Sequence, residues 1–309
     1  MALRWIEQVT ELTASLARKL PGRYKVTDGK SFELASVKPD DHADLDKEAV
    51  EAWLDKRRQR LGVLQERLAA ERHHSVLLVL QGMDGAGKDS LIRNVMTGMN
   101  PQGTKVVSFK KPGDIEMAHD YLWRVHMAVP GRGQVGVFNR SHYEDVLVAR
   151  VHADKLNTDG MTGDPGTREF WDQRLLDIAN FEAYLSRQGI HLLKVMLHMS
   201  PECQQERLLR RLNRPDKRWK FDESDLIERR YWSDYQTAYQ EAIRATSSEE
   251  APWLVVPSDR KWFSRMVVME ALIGKLESLS PEPPPPSPEI LRNLERLEAA
   301  IKASLPQKE

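Results

Sequence analysis

The chain has almost no cysteine and no net charge. Cys203 is the single cysteine among 309 residues, which excludes an internal disulfide and points to a reducing compartment. Lys plus Arg and Asp plus Glu balance at 46 each, so no global field draws the chain to nucleic acid or a membrane, and any anion site has to be a local patch. No apolar run approaches the length that crosses a bilayer. The opening stretch, MALRWIEQVTELTASL, interleaves acids with apolar residues and lacks the apolar core of a signal peptide. These absences predict a soluble cytoplasmic protein, long enough for one large domain or two small ones. There is no internal repeat. The histidines at 73, 74, 126, 152, 191 and 198 show no metal-ligand spacing.

What is present centres on VLLVLQGMDGAGKDS, Val76 to Ser90. Val76 to Leu80 are consecutively apolar, too short a run for a helix and right for a buried strand. Gly82, Gly85, Ala86 and Gly87 then form a tight small-residue loop, Lys88 follows, and Leu91, Ile92 and Val95 fall at helical spacing. Strand, Gly-rich turn, Lys and helix in register are the anatomy of a P-loop rather than an ordinary Gly-rich turn. Small residues let backbone N–H groups converge on phosphate oxygens, the helix N-terminus adds positive dipole, and Lys88 neutralises charge. One feature departs from the usual pattern. Asp89 stands where Ser or Thr normally follows the Lys, and Ser90 comes one position late.

Strands alternate with helices through the rest of the core. A charged helix is expected from Leu45 to about Arg72, with Leu54, Leu61, Leu64 and Leu68 on its packing face. A strand from Thr104 to Phe109 ends in Lys110 and Lys111, placed to meet anions because ligands sit beyond the carboxyl ends of parallel strands. A helix over 114–128 carries Arg124, and a strand from Gln134 to Phe138 runs into Asn139-Arg140-Ser141-His142-Tyr143-Glu144-Asp145, with Arg124, Asn139, Tyr143 and Glu144 as candidate phosphate or nucleotide contacts. A P-loop enzyme needs an acid there to hold Mg²⁺, and the first position is Asn. The available carboxylates are Asp84, Asp89, Glu144 and Asp145, of which one or two suffice for so strongly hydrated a cation. Further strands are expected at Ile190 to Met199 and Trp253 to Val256, with a closing helix from Lys261 to Leu279. Between them RLLRRLNRPDKRWK, Arg207 to Lys220, sets seven basic residues against one acid. It starts in a helix, breaks at Pro215 and holds Trp219, which suggests a mobile cover whose cations clamp phosphates.

The resulting expectation is an α/β protein, a three-layer α/β/α sandwich around a parallel five-stranded sheet, with a helical lid. Residues 1–72 read as a helical extension on the core. Residues 73–280 read as a P-loop kinase core of the thymidylate/adenylate-kinase type, with its lid at about 207–235. Residues 281–309 hold the proline linker PEPPPPSP and a short amphipathic helix from Ile290 to Leu305. The chemistry is phosphoryl transfer by positioning and charge neutralisation. From the residues alone the donor stays open between ATP, as in a nucleoside monophosphate kinase, and a linear polyanion. A non-enzymatic nucleotide or polyphosphate sensor is a third reading.

At these residues the chain resembles the polyphosphate kinase 2 family over roughly residues 20–277. GMDGAGKDS at 82–90 is similar to that family's Walker A variant, and FNRSHYEDVL at 138–147 to its Walker B region. The segment with Arg207, Arg211, Pro215, Lys217, Trp219 and Lys220 resembles its lid. ERRYWSDY at 228–235, APWLVVP at 251–257, and Asp259, Lys261, Trp262 and Arg265 complete the match. The resemblance implies transfer of the terminal phosphate of inorganic polyphosphate to adenine nucleotides with Mg²⁺, or Mn²⁺ in its place, in a homodimer or homotetramer with no nucleic-acid or membrane partner. It also implies that Asp84 holds metal or acceptor phosphates and that Lys88, Arg140, Arg207 and Arg211 hold the transferred group. Glu144 in the SHYED context resembles the subgroup that accepts both AMP and ADP. Asn139, where many members carry Asp, and Arg214, where an Asp is common, depart from the pattern.

Overall fold

The computed structural model describes residues 15–156 and 162–304. Its sheet runs in the order β1-β6-β5-β2-β4-β3. β2 is Ser75–Gln81, β3 Thr104–Ser108, β4 Val135–Asn139, β5 Ile190–His198 and β6 Trp253–Pro257. These five strands are mutually parallel, and all seven residues of β2 are buried, as a central strand covered on both faces requires. The order places β2 between β4 and β5, and Leu80 pairs with Asn139. That register sets the end of β4 directly beside the P-loop.

A sixth strand departs from the expected five. β1, Lys25–Val26, pairs antiparallel with Leu254 and Trp253 of β6. The segment before residue 73 is therefore not only a helical extension, since it closes one edge of the sheet. Two residues with no alternating pattern carry no strand signal of their own.

Helices cover both faces. α1, Lys47–Glu71, begins at Asp46, whose side chain accepts from Glu48 N and Ala49 N. It packs on α8, Lys261–Leu279, where Glu270 receives Trp53 Nε1 (2.9 Å) and Arg57 Nε (2.7 Å). α2, Lys88–Met96, leaves the P-loop. The helix expected over 114–128 is split into Asp114–Met117 and α3, Trp123–Ala128. Asp120 Oδ1 accepts from Leu122 N at 3.0 Å, a local side-chain bond that competes with helix. α4 is Arg168–Arg187, and α5, Pro201–Asn213, is capped by Ser200 Oγ, which accepts from Cys203 N. α6 is Ser224–Arg229 and α7 Trp232–Thr246.

Apolar positions over residues 3–19 fall at helical spacing, with Pro21-Gly22 expected to end the run; the helix instead continues through 15–23, and residues 1–14 lie outside the described residues. Proline removes one helix bond there without ending the helix. Beyond the linker the chain forms Pro288–Arg292 and α9, Leu294–Ala303, broken at Asn293 rather than continuous. Among the described residues no helix is long and apolar enough to cross a membrane.

Candidate active site

The P-loop lies at the carboxyl end of β2. Gly82 has φ 149°, and a Cβ there would sit 3.0 Å from Leu197 O, so any side chain would push the loop off β5. Gly87 (φ 111°) caps α2 with no side-chain bond to the first turn, which leaves the helix N–H groups facing outward for an anion. Lys88 Nζ folds back on Gly82 O at 2.5 Å. Burial pulls its pKa down, against the pull of Asp84, Glu144 and Asp89. Gly85, Gly87, Lys88, Asp89 and Ser90 line a cleft of about 950 Å³. Gly82 and Ala86 do not line it. They shape the loop from behind, with Ala86 O accepting from Arg207 Nη1 at 2.8 Å.

Arg140, just past β4, has a left-handed backbone (φ 62°) that turns its side chain into the cleft. It bridges Asp84 (2.8 Å) and Glu144 (3.5 Å). Burial pushes the Asp84 carboxyl up, but Lys88, Arg140 and Arg211 outweigh it and hold Asp84 below the usual range. Glu144 is pushed up by burial, only partly offset by Arg140 and Lys88. It sits behind Arg140, within 3.0 Å of the Gln81 amide, rather than on the cleft wall.

The two departures noted in the motifs meet in space. Asn139 Nδ2 donates to Asp89 Oδ1 at 3.0 Å, so an acid stands in direct contact with the strand end, supplied by the P-loop helix. Asn139 Oδ1 is buried without a hydrogen-bond partner. Ser90 Oγ instead accepts from Arg265 Nη2 (2.7 Å). Asp84 and Asp89, both on the cleft wall, are the carboxylates that could hold a divalent cation. No group of three or more His, Cys, Asp or Glu suited to a metal exists among the described residues. Mg²⁺ does not need one, since it keeps waters and completes its shell with phosphate oxygens.

Residues 207–220 divide into a buried arginine and cleft-facing cations. Arg207 is saturated: Nη1 donates to Gly85 O and Ala86 O, and Nη2 to Ser258 O and Asp259 O. Arg207, which the resemblance implies holds the transferred group, lines the cleft while its guanidinium braces the P-loop carbonyls. Arg211, one turn on, faces the cleft with Asp225 (3.0 Å) as its partner. Lys217, Trp219 and Lys220 follow in the exposed 3₁₀ turn Pro215–Lys220 and line the cleft, as do Lys110 and Lys111 from the opposite side.

Three other expected residues lie elsewhere. Tyr143 is fully buried beneath the cleft, its hydroxyl 2.9 Å from Glu182, so it does not bind phosphate. Arg124 is buried, donates to Lys110 O (2.8 Å) and faces Glu116 and Asp145, which makes it a brace for the lysine pair. Asp145 points at Arg124 and away from the cleft, and burial raises its pKa to about 6. Its role as a metal ligand is corrected by that placement. The site list drawn from the motifs omits Arg93, Arg210, Lys261, Arg265, Asp222 and Asp225, all on the cleft wall. Lys261 and Arg265 had a signal in their four-residue spacing at a helix start, on one face and toward the P-loop.

Residues 44–283 match the family description polyphosphate kinase 2 (PPK2). The chain belongs to the polyphosphate kinase 2 family. It is 45% identical over 231 residues to the ADP-polyphosphate phosphotransferase of Rhodopseudomonas palustris, covering 74% of this chain and 80% of that one. It is 44% identical over 266 residues to the AMP/ADP-polyphosphate phosphotransferase of Meiothermus ruber, covering 85% of this chain and 96% of that one. The crystal structure of polyphosphate kinase 2 from Arthrobacter aurescens superposes with a TM-score of 0.83 at 38% identity, over 92% of this chain and 97% of that one. As a family member the chain is a phosphotransferase, and its P-loop residues line the cleft.

Proposed function

We propose that the cleft moves the terminal phosphate of inorganic polyphosphate onto AMP and ADP, giving ADP and ATP, with Mg²⁺ as the metal. The supporting observation is the charge of the cleft wall. Lys88, Arg93, Lys110, Lys111, Arg140, Arg207, Arg210, Arg211, Lys217, Lys220, Lys261 and Arg265 line it, against Asp84, Asp89, Asp222 and Asp225. That excess exceeds what one triphosphate neutralises and suits a longer polyanion. The names of the relatives from Rhodopseudomonas palustris and Meiothermus ruber agree with this substrate class.

Lys88 and the α2 N–H groups hold the transferring phosphoryl group, Arg140 spans donor and acceptor oxygens, and Arg211 leaves Asp225 to complete the clamp. Asp84 and Asp89 would hold the metal, which neutralises charge on the donor and acceptor oxygens. The acceptor is itself a phosphate and already ionised, so no general base is required. Glu144 lies behind Arg140 and sets how far that arginine leans toward the shorter acceptor, which is our reading of the AMP plus ADP preference.

The test is incubation with AMP, polyphosphate and Mg²⁺ and no ATP, following nucleotides by chromatography. ADP and then ATP are expected. No nucleotide product from polyphosphate, with ADP formed when ATP is the donor, overturns this reading for an ATP-dependent kinase.

A further inference from the structure

Beneath the catalytic turn lies a fully buried ionic network that the reaction does not touch. Lys194 on β5 is 0% exposed and directs its ammonium to Glu182 Oε2 (2.5 Å), Thr246 O (2.6 Å) and the Tyr143 hydroxyl (3.2 Å). Glu182, on α4, also receives the Tyr143 hydroxyl at 2.9 Å and His142 Nε2 at 3.2 Å. Thr246 Oγ1, on α7, lies 2.8 Å from the Tyr143 hydroxyl and accepts from Trp253 Nε1 of β6 at 2.9 Å. Burial opposes the Glu182 charge, but Lys194 and His142 hold its carboxyl below the usual range.

The network has one opening toward function. His142 and Tyr143 are consecutive in the turn that follows β4. Arg140 stands two residues before them in a left-handed conformation, and Glu144 directly after. A non-glycine residue holds such a backbone only when its surroundings over-determine it. Here the two side chains drawn downward fix the turn from below, and Ser141 Oγ fixes it laterally by accepting from Tyr143 N (3.2 Å). Buried ion pairs are costly, and an apolar cluster of the same volume is often as stable or more so. The fold's stability therefore does not by itself call for charge at this spot.

Building on the proposed phosphotransfer, we infer that Lys194, Glu182 and Tyr143 are positioning residues: they anchor the strained turn so that Arg140 projects into register with the donor and acceptor phosphates, with Glu144 set behind it. They act through the turn and touch no substrate. Loosening the anchor leaves the donor path along the lid intact and misplaces Arg140.

Tyr143→Phe keeps the ring and deletes the anchoring hydroxyl. The apolar pair Lys194→Met with Glu182→Leu removes the charges together, leaving none unpaired. For each folded variant, kcat and KM with polyphosphate are measured for AMP and for ADP, alongside thermal unfolding and the unaltered enzyme. The inference expects kcat to fall about tenfold, since sub-ångström misplacement of an oriented group has effects of that order. It also expects a polyphosphate KM within about twofold and a changed AMP-to-ADP rate ratio, because the lid contacts are untouched while Glu144 moves. The double variant should retain its melting temperature. Unchanged kcat and acceptor ratio in both folded variants overturn the inference. If the unaltered enzyme forms no nucleotide from polyphosphate, it is the proposed function that fails instead.

Discussion

Arg207 and Arg211 are one helical turn apart on α5, and they live in different worlds. Arg207 is buried and spends its guanidinium on the carbonyls of Gly85, Ala86, Ser258 and Asp259. Arg211 meets one carboxylate, Asp225, inside the cleft. The same contrast separates the two walls. The P-loop wall is set in advance, with Lys88 on Gly82 O and Gln204 Nε2 on Asp84 O (2.8 Å). The lid wall is exposed, with Trp219 78% accessible and its cations free to change partners. A fixed wall supplies preorganised electrostatics, which cost no reorganisation during the reaction. An exchangeable wall lets a long polyanion enter and a product leave.

The comparison can be broken at several points. Lys88→Ala removes the cation at the heart of the fixed wall, and we expect kcat to fall about a thousandfold in a polyphosphate-driven assay. Arg207→Ala leaves four carbonyls without their donor. Stability should drop by about 2 to 3 kcal/mol in denaturant unfolding, with activity falling alongside it. A variant that melts normally would remove Arg207 from the fixed wall.

Lys261 sharpens the lid side. Burial, followed by the charges of Arg207 and Arg210 on α5, Arg265 on its own helix and Lys217 in the lid turn, lowers its pKa to about 8. As pH rises through that value the free enzyme loses a cleft cation, so KM for polyphosphate should rise above pH 8 and level off in Lys261→Met. A flat KM profile in the unaltered enzyme would exclude Lys261 from donor contact. Glu144→Asn should shift preference from AMP toward ADP by about threefold to tenfold, read as the ratio of kcat/KM values. Trp219→Ala is the mildest change. Its side chain is exposed, so stability should stay within about 0.5 kcal/mol while polyphosphate KM rises slightly.

Much of this arrangement could be read in the residues before any fold was seen. Continuous apolar runs located the five parallel strands, and glycines with Lys88 located the phosphate loop. What escaped was contact between distant segments. Asp89 and Asn139 each looked like a separate defect in a motif, because a hydrogen bond across 50 positions leaves no local trace. Tyr143 sits between two residues of opposite orientation, Arg140's turn above and Glu182 below, and a run of polar residues cannot say which side chains turn inward. Arg124 reads as a free cation until Lys110 O and Asp145 are seen around it. Lys25–Val26 becomes a strand because β6 offers an open edge.

The central claim is that the lid exchanges partners while the P-loop wall stays fixed, and Arg211→Ala tests it most directly. The account predicts a loss of about a hundredfold in polyphosphate-driven kcat with the melting temperature within about 2 °C of the unaltered enzyme, because a partly exposed arginine whose one side-chain partner is Asp225 contributes to transition-state charge and little to the fold. A folded variant with full activity, or a melting temperature that falls as far as that of Arg207→Ala, would contradict it.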